Sequence, residues 1–291
     1  MVSVLPLGAQ TPVDTSKPAE VTMLGPANSG DSKQEVKDKK KDDKQKQGDK
    51  QKQGDKQDGK VVATVDADII SHYVWRGQDR GMFSIQPTAE VSWRGLFARV
   101  EGSTGIRAEE VQEIDLWLGY RLGGFNIGVA DYWTTGLDID DRYFYYDSEN
   151  GAHQFEANVG YSCRYFSLQA YTIFGGRDFK LNGDRAYSTY IELGIPFRLG
   201  SLDWQLTAGM TPMESAGSWQ SVTRITEDYG EREVNMRVWD YAEGPACVQA
   251  SLRCTKELNL GKMQLPVFAE LNTNPYLKKA HLIFGLSIKP W

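Results

Sequence analysis

Between Ser84 and Gly102 the chain reads SIQPTAEVSWRGLFARVEG, and taken two residues at a time it has two unlike faces. Ile85, Pro87, Ala89, Val91 and Trp93 fall on one side; Gln86, Thr88, Glu90, Ser92 and Arg94 fall on the other. That period belongs to a strand with an apolar and a polar face. Past Arg94-Gly95 the alternation resumes, with Leu96, Ala98 and Val100 apolar and Arg99 and Glu101 polar. A two-residue turn there keeps both apolar sets on one face of a hairpin and sets Glu90 opposite Arg99.

The pattern recurs along the chain. Strand one is expected over Val61–Arg76, with Val65, Ala67, Ile69, Tyr73 and Trp75 outward and the ionisable Asp66, Asp68, His72 and Arg76 inward, because a face that rich in charge cannot meet lipid. Further alternating segments end at tight connections near Gly123-Gly124, Tyr165-Phe166, Gly200-Ser201 and 259–262. The remaining connections, near 77–84, 103–110, 134–152, 175–186, 211–245 and 273–278, are longer and polar. Short turns alternating with long loops predict an all-β chain: an antiparallel up-and-down transmembrane β-barrel of about twelve strands, preceded by a disordered N-terminal segment. With the short turns periplasmic, an even strand number puts both termini in the periplasm.

The polar bulk composition does not argue against this, since every second residue of a barrel strand faces the lumen. No run of about 18 apolar residues is present to form a spanning helix. The aromatics sort by height: Trp93, Tyr120, Phe125, Tyr161, Phe197 and Trp204 lie beside the short turns, and Tyr73, Trp75, Phe174 and Tyr187 lie near the long loops, as two interfacial girdles would require. Asp131 interrupts the apolar parity of its strand, which points to a bulge or to a level above the lipid.

Residues 1–10 read as the remnant of a secretory signal peptide, a short apolar run ending in small residues, so that a longer precursor is expected to carry the full signal. Residues 11–60 are poor in large apolar side chains and become a lysine-rich tract in which QKQGDK is repeated, a composition expected to form a disordered periplasmic linker. Interleaved acids and the absence of aromatics speak against nucleic-acid binding. The barrel itself occupies 61–291, and its terminal HLIFGLSIKPW looks like the signal read by the barrel-assembly machinery, although Trp291 is out of phase with the strand before it. Parity places Cys163 and Cys254 outward and Cys247 inward, which disfavours a disulfide between the last two.

The segment SHYVWRGQDRG at Ser71–Gly81, with QPTAEVSW after it, resembles the S-x-Y-x-x-R-G opening of the TorF family of porins through Ser71, Tyr73, Arg76 and Gly77. The resemblance implies a small outer-membrane barrel and does not specify a substrate.

The residues expected to line the lumen are Asp66, Asp68, His72, Arg76, Glu90, Arg99, Glu101, Asp115, Glu156, Glu192, Arg253 and Glu270. At mid-height acids outnumber arginines, which predicts a narrow pore for passive diffusion of small polar or cationic solutes, because carboxylates lower the barrier for cations. The competing reading is a filled, non-conducting structural or adhesive barrel whose charges form buried pairs such as Glu90–Arg99. A lipid-modifying enzyme would need an outward Ser–His pair; His153 falls outward near the rim, but the register faces it with Asp178, and no G-x-S-x-G, H-E-x-x-H or P-loop pattern is present. No catalytic residue, metal site or cofactor is therefore assigned. The loop 136–151 offers Asp138, Asp140, Asp141, Asp147 and Glu149 as oxygens, but without the spacing of a calcium loop it reads as solvated. Trp219, Tyr229, Trp239 and Tyr241 in 211–245 could bind a glycan or partner or pack over the barrel mouth. The expected partners are outer-membrane lipid, the barrel-assembly machinery and small solutes.

Overall fold

A computed structural model describes residues 59–106, 111–135, 140–226, 230–261 and 263–289, with 219–236 and 263 described by backbone alone. The signal-like start, the lysine-rich segment, Asp138, Trp291, Tyr229 and the side chain of Trp219 lie outside the described residues. The strands are β1 Val62–Ile70, β2 Tyr73–Trp75, β3 Gln78–Gly81, β4 Ser84–Trp93, β5 Leu96–Gly105, β6 Gln112–Leu122, β7 Phe125–Thr134 and β8 His153–Ser162. They continue as β9 Ser167–Gly176, β10 Thr189–Leu199, β11 Leu202–Thr211, β12 Gly217–Thr226, β13 Gly230–Trp239, β14 Ala246–Leu260, β15 Met263–Asn274 and β16 Lys279–Ile288.

Twelve of these strands form one closed antiparallel barrel in which β1 pairs with both β4 and β16. The other four make two separate hairpins, β2–β3 and β12–β13, each inserted in a long connection. The registers follow from the turns: Glu90 faces Arg99 and Arg198 faces Asp203, as the alternation requires. At Arg94-Gly95 both turn residues have positive φ, 48° and 89°, the mirror-image geometry whose twist matches that of the strands it joins.

The outer face is apolar. Leu118, Ile127, Val129, Val159, Leu193, Leu206, Leu252, Leu271, Leu282 and Phe284 are all exposed there. Near the short turns Phe125 packs on Tyr161 and Phe197 stacks on Trp204, with ring centroids 4.7 and 6.2 Å apart. Phe174 and Tyr187 are exposed towards the other end. Two members expected in that second girdle are elsewhere: Tyr73 and Trp75 are buried, because the first strand stops at Ile70 and the alternation beyond it belongs to β2.

A second correction concerns Cys247. The β11–β14 register shifts between Gly209 and Met210, so that Gly209 faces Gln249 while Met210 faces Cys247. The extra residue, Val248, turns into the core, and Cys247 is exposed instead of inward. All three cysteines are free. At Asp131, by contrast, the pairing to β6 and β8 runs without a shift, and its carboxylate meets His153 Nδ1 at 2.8 Å.

Candidate functional site: a hairpin docked in the lumen

The connection after β1 does not arch over the barrel but folds into it. Ser71 fixes the entry, its amide donating to the Phe284 carbonyl at 2.8 Å and its hydroxyl accepting from the Phe284 amide at 2.9 Å. Tyr73 donates from its hydroxyl to Glu113 Oε2 at 3.0 Å. Trp75 pairs with Gln78 across a two-residue turn, Arg76-Gly77, whose φ values of 47° and 74° repeat the geometry of Arg94-Gly95. That turn carries Arg76 into the middle of the lumen.

There Arg76 forms a fork with Glu156 of β8, Nη1 to Oε2 at 2.7 Å and Nη2 to Oε1 at 2.9 Å. Nη1 also donates to the Tyr241 hydroxyl, and Tyr132 donates to Glu156 Oε1 at 2.8 Å, so both carboxylate oxygens are engaged. The side chains of the pair are 2% and 0% exposed. Trp75, Tyr171 and Tyr190 place their ring centroids 4.3, 4.5 and 4.8 Å from the guanidinium carbon. A delocalised, weakly hydrated cation suits such an aromatic cage, whereas an ammonium could not make the same planar fork. Arg80 lies 4.5 Å from the Trp75 centroid and is itself buried.

The two ends of the long connection between β11 and β14 meet over the hairpin. Ser215 accepts from the amides of Tyr241 and Ala242 at 2.9 and 3.1 Å, and Ser188 accepts from the Ala216 amide at 2.7 Å. This knot holds Tyr241 over Arg76. Of the aromatic residues in 211–245, Tyr241 therefore packs into the mouth. Around the knot, burial pushes the Asp240 carboxyl up to about 7 against the pull of Arg177. Burial likewise raises Asp178, although Ser188 donates to it.

The wall residues expected to line the lumen are placed as follows. Asp66 and Asp68 are half-buried on β1; Glu101, Asp115, Glu156 and Glu270 are buried on β5, β6, β8 and β15. Arg253 donates to Glu270 Oε2 at 2.8 Å, and Tyr190 donates to Glu192 Oε2 at 3.1 Å. The expected extent of the first strand to Arg76 is corrected: β1 ends at Ile70, and His72 and Arg76 belong to the inward-folded connection instead of a wall strand. The Glu90–Arg99 register is as expected, but their closest atoms are 3.9 Å apart, and the strong partner of Glu90 is Arg121, forked at 2.6 and 2.8 Å. Arg99 lies nearer Glu101, at 3.2 Å.

At the rim, His153 contacts Asp131 through one ring nitrogen and the Tyr143 carbonyl through the other. Both nitrogens are engaged, which leaves none to take a proton from a nucleophile. In the neighbouring loop the Arg142 guanidinium holds the Asp140 carboxyl below its ordinary value, and Asp147 accepts from the amides of Glu149 and Asn150. These carboxylates are turn-forming and solvated.

Gly77 gives the docking a direct test. A Cβ added there would lie 1.9 Å from the Val248 carbonyl oxygen, at a φ that side-chain-bearing residues rarely adopt. Gly77→Val should lift the hairpin from its seat at a cost of about 1–3 kcal/mol or more, as overpacked sites do. Trypsin should then cut at Arg76 or Arg80 in the folded variant and not in the wild type; equal resistance of both would contradict the docked placement.

No family model matches this sequence, and no curated protein matches it. A solved structure described as "Unveiling the Mechanism Behind the in-meso Crystallization of Membrane Proteins" is similar over 78% of this chain and 82% of its own, at 9% identity and a TM-score of 0.40. That likeness is too low to bear on function.

Proposed function

We propose that the chain is a bacterial outer-membrane β-barrel that passes small polar or cationic solutes by passive diffusion, through a lumen that the β2–β3 hairpin constricts. In this reading the short turns and both termini are periplasmic, and the lysine-rich segment is a tether on that side. The observation that carries the proposal is the inversion of polarity across the wall: leucines, valines and aromatics outside, carboxylates, guanidiniums and amides inside. A water-soluble barrel would have the reverse arrangement. Buried lumen atoms including the three Arg80 guanidinium nitrogens, Gln78 Nε2, Asp115 Oδ1 and Asn158 Nδ2 have no hydrogen-bond partner among the described residues. Groups of that kind are ordinarily satisfied by individually ordered waters, which this reading places beside the hairpin.

The resemblance of Ser71, Tyr73, Arg76 and Gly77 to the TorF-family opening supports the same reading, because in this chain those four residues seat the hairpin. A second reading, a non-conducting structural barrel, is favoured by the depth of the Arg76–Glu156 pair. Reversal potentials in a potassium chloride gradient across planar bilayers separate the two. The proposal predicts small openings selective for potassium; a silent protein would favour the structural barrel, and chloride selectivity would contradict the role given to the lumen acids.

A further inference from the structure

We propose that His72, Asp79 and His281 bind a divalent first-row transition ion, with Zn²⁺ the best match, and that the ion fastens the lumen hairpin to the barrel wall. His72 sits between β1 and β2, Asp79 is on β3, and His281 is on β16 opposite Asn272. The three residues come from both sides of the hairpin and from the far end of the chain, so no local ligand spacing exists for a sequence pattern to show. Their potential ligand atoms all lie within 4.8 Å of one another. His72 Nε2 is 3.0 Å from Asp79 Oδ1, and the two imidazole centroids are 4.7 Å apart with the rings tilted by 45°.

Zinc bonds of about 2.0–2.1 Å at tetrahedral angles hold ligand atoms roughly 3.3 Å apart, so small side-chain rotations bring the three donors onto one ion. Two imidazoles and a carboxylate suit zinc, copper or nickel, whereas calcium and magnesium prefer oxygen-only sets. Two further features prepare the site. His281 Nε2 is buried without a hydrogen-bond partner among the described residues, a condition that costs free energy and that a metal ion would relieve. Asp79 Oδ1 also accepts from the Gly81 amide at 3.2 Å, which orients the carboxylate as outer-shell contacts do in metal centres. With three protein ligands, a fourth position remains for water.

The consequence is mechanical. His72 precedes the hairpin, Asp79 lies within it opposite Val74 and His281 belongs to the wall, so one ion ties three chain segments together. Binding to the docked form alone would stabilise that form by RT ln(1 + [Zn²⁺]/Kd), so the hold on the hairpin grows with the logarithm of free zinc once the site is filled. The inference stands whether or not the lumen conducts.

The test uses the untagged full chain in detergent, titrated with Zn²⁺ and, separately, with Co²⁺ and Cu²⁺. One equivalent of zinc is expected, displacing a cobalt complex with the visible absorption of a four-coordinate site. His72→Asn and His281→Asn should each weaken binding by more than the 10–100-fold typical of outer-shell changes, while His153→Asn leaves it unaltered. Copper hyperfine structure in the wild type should report two imidazole nitrogens, which keeps the proposal testable even if a variant misfolds. Absence of stoichiometric binding, a copper signal without two nitrogens, or unchanged affinity in the His72→Asn, His281→Asn double variant would overturn it.

Discussion

Glu156→Gln should destabilise the barrel by about 3–5 kcal/mol if the hairpin stays seated, because it leaves the Arg76 guanidinium buried without its anion. The pair is almost fully enclosed and lies across the lumen from β8 to the tip of β2–β3. The chain has one escape from that cost, which is to swing the hairpin out and hydrate Arg76. The loss in stability is then capped by the free energy of docking, and the lumen opens. Removing both charges separates these outcomes: Arg76→Met with Glu156→Met should recover most of the stability, since buried pairs replaced by apolar groups of similar volume are often close to neutral. Unfolding free energies in urea for Arg76→Met, Glu156→Met and the double variant give the coupling directly. Additive effects would mean that the fork contributes nothing as a pair.

Leu193→Arg tests which face meets lipid. Leu193 lies at the middle of β10, is 39% exposed and pairs with outward Ala208. An arginine on the lipid face at mid-depth costs about 2–4 kcal/mol, so refolding into lipid vesicles, read by the shift of the unheated band on a gel, should fall sharply. In a water-soluble barrel the same substitution would be neutral or would improve solubility. Refolding equal to the wild type would therefore contradict the membrane reading.

How much of this was legible beforehand varies with the physics of each element. The wall strands were, because one face of each is apolar over several residues and a slip of one would turn every leucine inward. The pairing of Glu90 with Arg99 and of Arg198 with Asp203 followed from the two-residue turns. The hairpin was not, because Tyr73 and Trp75 continue the period of β1 and a strand that doubles back keeps the same alternation. A signal was present: Arg76-Gly77 repeats the Arg94-Gly95 turn that ends β4. Taken as a tight turn, it would have moved Arg76 from the wall to a tip, while the break at Ser71-His72 would still have passed as continuous strand. Val248 was invisible for another reason, since a bulge adds one residue without changing composition and so turns Cys247 outward. The fork between Glu90 and Arg121 depends on neighbours two strands apart, which register within a single hairpin does not specify.

In the proposed reading β2–β3 constricts the barrel at the level of Arg76. The most direct test of this is unitary conductance in planar bilayers, comparing the wild type with a form in which residues 72–82 are replaced by a short glycine-serine link. The account predicts small or rare openings for the wild type and a steady, several-fold larger conductance once the hairpin is gone. Equal conductance from the two folded proteins would contradict it.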